Sequence, residues 1–600
     1  MCGILVQTGQ REIEEESFRK ALDSMSHRGP DNGNVWHSGD ASIFLGHRRL
    51  SIVDLSSAGQ QPMENEDKSL HLVCNGEIYN YTVLRKELEG LGHAFRSSCD
   101  SEVILHAYEQ WGDACVERLF GMFAFAIWDE ARQKLFAARD RVGIKPLCYA
   151  ELNGTLILAS EAGPIRMLLG NKTRPNPLAL AYIMTLGYIP APFCIWDKIR
   201  KVKPGHFLNW TQTRGVCEKK YWEPPRHVAV EAGEEDLRTL LHCVLEEHLL
   251  SDVPLALFLS GGLDSSGLAA ALKEIDRPLQ TITMGFPKYE KDESALGAAM
   301  AKHIGFPNKI IQVQTEDAKD LAQMVASSFD EPQGYSALLP MYEISRIASK
   351  DYRVVLAGDG GDEVFGGYNW YKNLEGPFGT RTRTVLRGNA SSEQHAFAAN
   401  EFANASVLHR HAWRLFPRFL PEEAQQILAP SGVQFGDEEM LAPLRLNFEE
   451  EMPLRRALQR VDLMSFCSDS ILPKVDRASM SQSLELRVPF LDHRMIEWAL
   501  PQPVSDREET EGKPWLRDYL KCRAPTEVLN HPKQGFSLPV LDKFDWEGAI
   551  EVIGDSYWAK SGLWSPAWKD MLAPGYAFRN GRIWTLYMLS LWADKWMERN

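Results

Sequence analysis

The chain has 600 residues, and its 66 Lys and Arg against 81 Asp and Glu give a formal net charge of −15. A chain this acidic is not built to neutralise a phosphate backbone, so we expect no nucleic-acid partner. Hydrophobic residues make up 44% and charged residues 24%, which is typical of globular proteins and excludes disordered or collagen-like chains. The ten cysteines form no CxxC pair, so we expect a reduced, cytoplasmic compartment. Without an apolar run of about 18 residues, we expect no membrane partner.

The N-terminal third alternates short apolar runs with helical stretches. Runs of strand length, bounded by Gly, Asn or Asp, predict strands at residues 3–6, 42–45, 70–74, 122–128, 134–138 and 155–159. Apolar residues at helical spacing predict helices at residues 14–25, 81–91 and 101–111. Because strands and helices do not alternate regularly, we expect a layered α+β domain.

Pro and Gly at residues 201–205 and 221–225 indicate a linker, after which the pattern changes. An apolar run at 254–259 leads into the segment SGGLDSS and then into a helical stretch, an order typical of a parallel α/β unit. Further strands are predicted at 281–284 and 353–357, helices at 234–250 and 267–274, and a helix-rich region at 369–470. We expect a first domain over residues 2–205, a linker over 206–232 and a second domain over 233–600.

A cysteine stands at position two of the chain. If Met1 is removed, the Cys2 thiol shares a residue with the free α-amine, whose pKa is ordinarily ~7.7–8.0. An amine half-titrated near neutrality is a suitable general base for the thiol beside it. By itself this cysteine would be incidental, but other segments support it.

Six short segments follow Cys2 in a recognisable order. They are HRGPD at 27–31, HRRLSIVDL at 47–55, NGEIYN at 75–80, SCDSE at 98–102, GMFAF at 121–125 and RDRVGIKP at 139–146. Together they resemble the glutamine amidotransferase domains of the N-terminal nucleophile hydrolase fold, an αββα sandwich. We interpret HRGPD as a structural turn.

The resemblance implies a role for each matched residue. Cys2 is the nucleophile, and the Asn75 side chain with the Gly76 backbone N–H forms the oxyanion hole. Arg49 binds the α-carboxylate of glutamine, and Asp100, with Glu77 nearby, binds its α-ammonium. Taken singly, Arg49 and Asp100 would be read as solvated surface charges.

The SGGLDSS segment supplies small residues and backbone N–H groups at a strand-to-helix turn, as phosphate binding requires. It is similar to the pyrophosphate-binding loop of ATP pyrophosphatases, whereas the alternative interpretation is a serine-rich helix cap. A second Gly-rich acidic segment, AGDGGDEVFGGY, covers residues 357–368. Asp264 and Asp362, one from each segment, are suitable Mg²⁺ ligands beside phosphates.

Over about residues 2–545 the chain resembles the class B, glutamine-hydrolysing asparagine synthetase family. This resemblance implies an ATP pyrophosphatase-like second domain, ATP and Mg²⁺, the substrates glutamine and aspartate, and a homodimer. Lys533 would neutralise charge during adenylation, and Asp359 would be an acid near the attacking amine. The implied ATP-binding residues are Leu259, Ser260, Gly261, Gly262, Asp264, Ser265, Met284 and Gly358.

Two alternatives remain open. Residues 330–342 read DEPQGYSALLPMY, and Gln333, Gly334 and Tyr335 stand where well-characterised members carry threonine and arginine. The same chemistry could therefore act on another carboxylate, in polysaccharide or secondary-metabolite amidation. A second alternative is a relative whose first domain is only structural, but the presence of Cys2 and its partner residues argues against it.

Overall fold

The computed structural model describes residues 2–9, 14–226, 233–286, 289, 292–313, 318–371, 406–415, 418–532, 541, 544–574 and 579–597. In this part of the chain, two antiparallel sheets are followed by one parallel sheet. No helix of the described ranges is long and apolar enough to cross a bilayer.

The N-terminal domain consists of two six-stranded antiparallel sheets with helices on their outer faces. Its strands are β1 (Gly3–Thr8), β2 (Asn32–His37), β3 (Ile43–Arg49), β4 (Met63–Glu64), β5 (Leu70–Ile78), β6 (Gly121–Asp129), β7 (Lys134–Arg139), β8 (Cys148–Leu152), β9 (Thr155–Ala159), β10 (Arg200–Lys201), β11 (His206–Thr211) and β12 (Gly215–Lys220). Its helices are α1 (Glu15–Asp23), α2 (Tyr81–Gly90), α3 (Glu102–Trp111), α4 (Cys115–Arg118), α5 (Ala162–Leu169) and α6 (Pro177–Leu186). The strand orders are β10-β8-β9-β1-β3-β2 and β12-β11-β7-β6-β5-β4.

Alternating apolar side chains hold the layers together. Ile4 and Leu45 of the first sheet meet Val73 and Ala126 of the second in a common buried core. The opposite faces of the same strands pack against helices: Phe18 and other residues of α1 and α5 cover the first sheet, and α2 and α3 cover the second. Apolar residues on both faces of the strands therefore produce the αββα sandwich, as predicted.

The expected linker begins at residue 206, but the structure places β11 and β12 there as part of the second sheet. Phe207 pairs with Ala138 of β7, and both Leu208 and Trp210 are buried. Burial of these side chains makes the preceding Pro204–Gly205 a turn inside the domain and not its boundary. The remaining domain limits stay a prediction.

The C-terminal domain contains a parallel sheet of order β15-β14-β13-β16-β17. Its strands are β13 (Leu255–Phe258), β14 (Gln280–Gly285), β15 (Asn308–Gln312), β16 (Val354–Leu356) and β17 (Glu485–Arg487). Its first helices are α7 (Glu234–His248), α8 (Leu263–Glu274), α9 (Ser294–Ile304), α10 (Ala318–Ser328), α11 (Leu338–Ala348) and α12 (Gly361–Phe365). The later helices are Val407–Leu415, Pro421–Leu428, Asp437–Arg445, Leu454–Asp462, Leu472–Met480, His493–Ala499, Asp506–Thr510, Pro514–Leu520, Thr526–Asn530, Trp546–Asp555, Tyr557–Lys560, Ala567–Met571 and Arg579–Trp596.

The strands predicted at 254–259, 281–284 and 353–357 correspond to β13, β14 and β16. Helix α8 begins at Leu263, four residues before the predicted start, because the second half of SGGLDSS is already helical. In the region predicted to be helix-rich, the described residues include four α-helices and a π-helix over Leu463–Ile471. Because β13, β14 and β16 are parallel neighbours, the loops after them meet at one edge of the sheet.

Candidate active site

The backbone N–H of Cys2, directly before β1, donates to Oδ1 of Asn75 at 2.9 Å. This contact fixes the Asn75 amide and turns its Nδ2 group away from the cysteine backbone. Nδ2 is buried and has no hydrogen-bond partner among the described residues. A buried amide without an acceptor is costly, so the arrangement suits a ligand oxygen that is negatively charged.

Gly76 follows Asn75 in β5 and lies opposite Phe123 of β6. A Cβ atom at this position would stand 2.2 Å from the carbonyl oxygen of Met122 and 2.6 Å from the Phe123 Cα. The two strands therefore approach too closely for any other residue. The glycine predicted for the oxyanion hole is also required by strand packing.

The charged residues predicted to hold glutamine are buried around this point. Arg49 donates to the carbonyl oxygens of Asp54 and Ser56, which hold its guanidinium in place. Asp100 accepts the Ile78 N–H at 2.7 Å. Burial raises the pKa of Asp100, and burial together with the charge of Asp100 raises the pKa of Glu77 well above its usual value.

Arg28 of the HRGPD segment connects Cys2 to the second domain, a role not predicted from the sequence. Its Nε donates to the Cys2 carbonyl at 3.1 Å, and its two terminal nitrogens donate to Asp476 at 2.9 and 3.0 Å. It also donates to Glu161 at 2.9 Å, and its side chain is fully buried. The interpretation of this segment as a turn is thus incomplete: its arginine joins the two domains behind the nucleophile.

The SGGLDSS loop lies between β13 and α8. The Ser265 hydroxyl accepts the Ser260 N–H at 3.2 Å, and the Ser260 hydroxyl accepts the Gly262 N–H at 3.2 Å. Gly261 has φ +82°, and a Cβ there would lie 2.5 Å from Leu296. These contacts hold a tight loop directly before the N-terminus of α8, a geometry that suits an anionic ligand.

Asp264 and Asp362 converge at this loop, as predicted from the two Gly-rich segments. Both oxygens of Asp264 lie 2.6 Å from Nζ of Lys513, and Oδ1 of Asp362 also lies 2.6 Å from it. Two carboxylates that meet one ammonium can also meet one divalent cation, so this donor set fits Mg²⁺ beside phosphate oxygens. Lys513 was not among the residues predicted from the sequence, although it lies in the Gly- and Pro-containing segment GKPWLR at 512–517.

The remaining predicted ATP residues lie on neighbouring strand ends. Leu259 and Met284 are buried at the carboxyl ends of β13 and β14. A Cβ at Gly358 would lie 2.9 Å from the Asp264 Cβ, so this glycine permits close contact between the two loops. Asp359 accepts from Lys474 at 3.3 Å. Lys474 was also missed, although its segment LPKVD stands out in the sequence, and Lys533 lies outside the described residues.

A small cavity lies between the two domains. Arg139, Cys148 and Lys201 line it from the first domain, and Glu331 and Gln333 do so from the second. Lys201 pairs with Glu331 at 2.9 Å across the interface. The segment that departs from the family pattern therefore reaches the domain boundary.

Comparison with known proteins shows that each half of the chain matches a protein family. Residues 1–222 match the glutamine amidotransferase domain, and residues 236–594 match asparagine synthase. The chain is 31% identical to asparagine synthetase [glutamine-hydrolyzing] 1 of Bacillus subtilis, over 90% of this chain and 87% of the relative. It is 31% identical to a putative asparagine synthetase [glutamine-hydrolyzing] of Mycobacterium bovis, over 100% of this chain and 98% of the relative.

A third relative is the putative asparagine synthetase [glutamine-hydrolyzing] 2 of Methanocaldococcus jannaschii. It is 33% identical over 82% of this chain and 100% of its own length. The family predicted from the motifs is therefore confirmed for both domains. The chain belongs to the glutamine-hydrolysing asparagine synthetase family, whose members are glutamine-dependent carbon–nitrogen ligases.

Proposed function

We propose that this chain makes asparagine from aspartate, with glutamine as nitrogen donor and ATP as the activating substrate. The products are asparagine, glutamate, AMP and pyrophosphate. The observation that carries the proposal is Asn75, whose Oδ1 is fixed by the Cys2 backbone while its Nδ2 is buried and unpartnered among the described residues. This is the geometry that an oxyanion hole beside a nucleophile needs.

In the first half-reaction, the Cys2 sulfur attacks the side-chain carbonyl carbon of glutamine. Burial raises the pKa of the Cys2 thiol, so the thiol needs a base to become nucleophilic. Removal of Met1 makes the Cys2 nitrogen that base. Asn75 Nδ2 and the Gly76 N–H stabilise the oxyanion, the C–N bond breaks to release ammonia, and water hydrolyses the thioester to glutamate.

Arg49 and Asp100 are proposed to hold the two charged ends of glutamine. The Arg49 guanidinium is fixed by backbone carbonyls and has a planar face suited to a carboxylate. Asp100 and Glu77 are buried close to each other, and burial, followed by repulsion from the charge of Asp100, raises the pKa of Glu77. An ammonium group between them would relieve that repulsion, which favours the α-ammonium of glutamine as their ligand.

In the second half-reaction, the aspartate side-chain carboxylate attacks the α-phosphorus of ATP, and pyrophosphate leaves. The loop Ser260–Ser265 would hold the pyrophosphate, and Leu259, Met284 and Gly358 would contact the adenosine. Asp264 and Asp362 would hold Mg²⁺, which neutralises phosphate charge when bound. Ammonia then displaces AMP from the acyl-adenylate. Roles for Asp359 near the amine and for Lys533 in adenylation stay predictions.

The hypothesis of a different acceptor carboxylate was based on Gln333, Gly334 and Tyr335. In the structure, the Gly334 N–H donates to the Gly187 carbonyl at 3.1 Å, and the Tyr335 hydroxyl donates to the Leu186 carbonyl at 3.4 Å. Both acceptors belong to the first domain, so Gly334 and Tyr335 take part in the interface between the domains, which favours a structural role for these two positions. Aspartate is therefore the acceptor that we propose.

Cys2→Ala tests the nucleophile. We expect the variant to lose asparagine formation from glutamine and to keep formation from ammonium chloride, since only the first site needs the thiol. Cys115→Ala, which changes another buried cysteine of the first domain, is the matched control and should keep both activities. Glutamine use by Cys2→Ala would contradict the mechanism.

A panel of carboxylates, each offered with ATP and ammonia, tests the acceptor. Release of pyrophosphate that depends on aspartate supports the proposal, whereas release with another carboxylate and none with aspartate contradicts it. A reduced, cytoplasmic compartment and a homodimer stay predictions.

A further inference from the structure

Two histidines and two glutamates meet on the outer side of the first domain, away from the residues assigned above. Glu66 lies in the turn between β4 and β5, His93 lies between α2 and α3, and His106 and Glu109 lie on α3. One potential ligand atom from each of the four lies within 4.8 Å of the others. The sequence alone does not indicate this cluster, because 43 positions separate its first and last residues.

His106 is the buried member of the cluster, with 1% of its surface exposed. Neither of its ring nitrogens has a hydrogen-bond partner among the residues that the structure describes. Its Nδ1 lies 3.5 Å from Oε2 of Glu66 and 3.9 Å from Oε2 of Glu109. A buried imidazole nitrogen is thus directed at two carboxylates without bonding to either.

The Nε2 atoms of both histidines, which point away from the cluster, face oxygen acceptors. Nε2 of His93 lies 3.2 Å from Oε1 of Gln110, and Nε2 of His106 lies 3.7 Å from Oε1 of Glu102. With hydrogen on Nε2, each ring presents the Nδ1 lone pair to the cluster. Nδ1 of His93 lies 3.6 Å from Oε2 of Glu109, so lone pairs of two nitrogens and two carboxylates face one another.

A cation resolves this arrangement, because lone pairs alone repel one another. Zinc-bound histidines characteristically donate their other ring N–H to a carboxylate or a carbonyl oxygen, as Glu102 and Gln110 are placed to accept here. Glu102 is itself held by the N–H groups of Arg96 and Ser97, at 2.7 and 2.8 Å. The orienting groups that a metal site needs are therefore already in place around His106.

We propose that His93, His106, Glu66 and Glu109 bind one Zn²⁺ ion. Two imidazoles with two carboxylates form a tetrahedral nitrogen–oxygen site, which suits Zn²⁺ and disfavours Mg²⁺ and Ca²⁺. The bound ion joins the β4–β5 turn, the α2–α3 connection and α3. Because Asp100 lies in that connection, the ion holds the backbone that carries a proposed glutamine-binding residue, and its role is structural.

The test uses the full-length protein after treatment with a chelator. Isothermal titration with Zn²⁺ and thermal unfolding with and without Zn²⁺ measure binding and stabilisation. We expect one equivalent bound and a higher melting temperature for the unaltered chain. We expect loss of both effects in His93→Gln and Glu109→Gln, two partly exposed positions where substitution spares the core. His242→Gln, which alters a histidine paired with Glu274 elsewhere, should behave like the unaltered chain.

Binding of Co²⁺ as a spectroscopic probe distinguishes ligation at this cluster from ligation by the thiol of Cys2. Tetrahedral nitrogen–oxygen ligation gives visible d–d bands without a thiolate-to-metal charge-transfer band. A charge-transfer band would assign the ion to a cysteine and overturn the proposal. Undiminished Zn²⁺ binding in His93→Gln and Glu109→Gln, or no Zn²⁺ binding by the unaltered chain, would overturn it as well.

Discussion

The ion pair between Arg28 and Asp476 joins the two domains behind Cys2, and Asp476→Ala would break it. The pair is bidentate, with distances of 2.9 and 3.0 Å, and its side chains are 0% and 4% exposed. Removal of one partner from a buried pair costs ~3–5 kcal/mol, because the other charge stays buried. Since Glu161 still lies 2.9 Å from Arg28, we expect the lower end, about 3 kcal/mol.

The matched control is Asp518→Ala, which breaks another bidentate arginine–aspartate pair. Arg507 and Asp518 are bonded at 2.7 and 2.8 Å, but their side chains are 46% and 36% exposed. An exposed pair contributes at most about 1 kcal/mol. The two variants therefore compare the same chemistry at different burial.

Differential scanning calorimetry measures the melting temperatures of both variants and of the unaltered chain. For a domain of roughly 150–250 residues, such as the N-terminal domain, each kcal/mol of lost stability shifts the melting temperature by roughly 2–4 °C. We therefore expect a drop of about 6–12 °C for Asp476→Ala. The drop for Asp518→Ala should be at most about 4 °C. We also expect weaker glutaminase activity in Asp476→Ala but not in Asp518→Ala, because Arg28 holds the Cys2 carbonyl. Equal melting shifts in the two variants would show that burial of the Arg28–Asp476 pair does not increase its contribution to stability.

Three further changes have defined outcomes. Gly76→Ala places a Cβ 2.2 Å from the Met122 carbonyl, so we expect loss of glutaminase activity and ~1–3 kcal/mol lower stability in urea unfolding. Burial raises the pKa of Glu363 from 4.5 to about 7, so the stability of the protein should fall as pH rises through that window. In Glu363→Gln, urea unfolding at the two ends of the window should show a smaller fall. Lys513→Met removes the ammonium between two loop carboxylates, and aspartate-dependent exchange of pyrophosphate into ATP should decrease.

Each of these three predictions has an outcome that would contradict it. Gly90→Ala, at a helical glycine where an added Cβ would meet no other side chain within 4 Å, should leave activity unchanged, and an equal loss there would remove the steric argument. If Glu363→Gln follows the pH dependence of the unaltered chain, the carboxyl does not take up its proton in this range. Lys521→Met changes an exposed lysine, and a similar decrease in exchange would deny a specific role to Lys513.

The two candidate sites could be predicted because the residues of each lie in a few contiguous segments. SGGLDSS and AGDGGDEVFGGY each follow the end of a strand and combine a glycine turn with polar side chains over a few residues, and NGEIYN combines polar side chains with a glycine inside β5. Local patterns of this kind set backbone geometry directly, and so predicted strands such as 155–159 and 281–284 lie close to the observed β9 and β14. The end of the first domain was misplaced because Pro204 and Gly205 form an internal turn that looks like a boundary.

The pattern of the amino-acid sequence was sufficient to predict the αββα and parallel-sheet architecture and the family, and it singled out the candidate residues for glutamine and ATP. The pairing of the distant charges Arg28 with Asp476, and of Lys513 with Asp264 and Asp362, came from the tertiary structure alone, as did the approach of His106 to Glu66. These partners lie 40 to 448 positions apart. Periodicity reports which face of an element is buried, but the pairing of buried charges depends on how faces from separate segments meet.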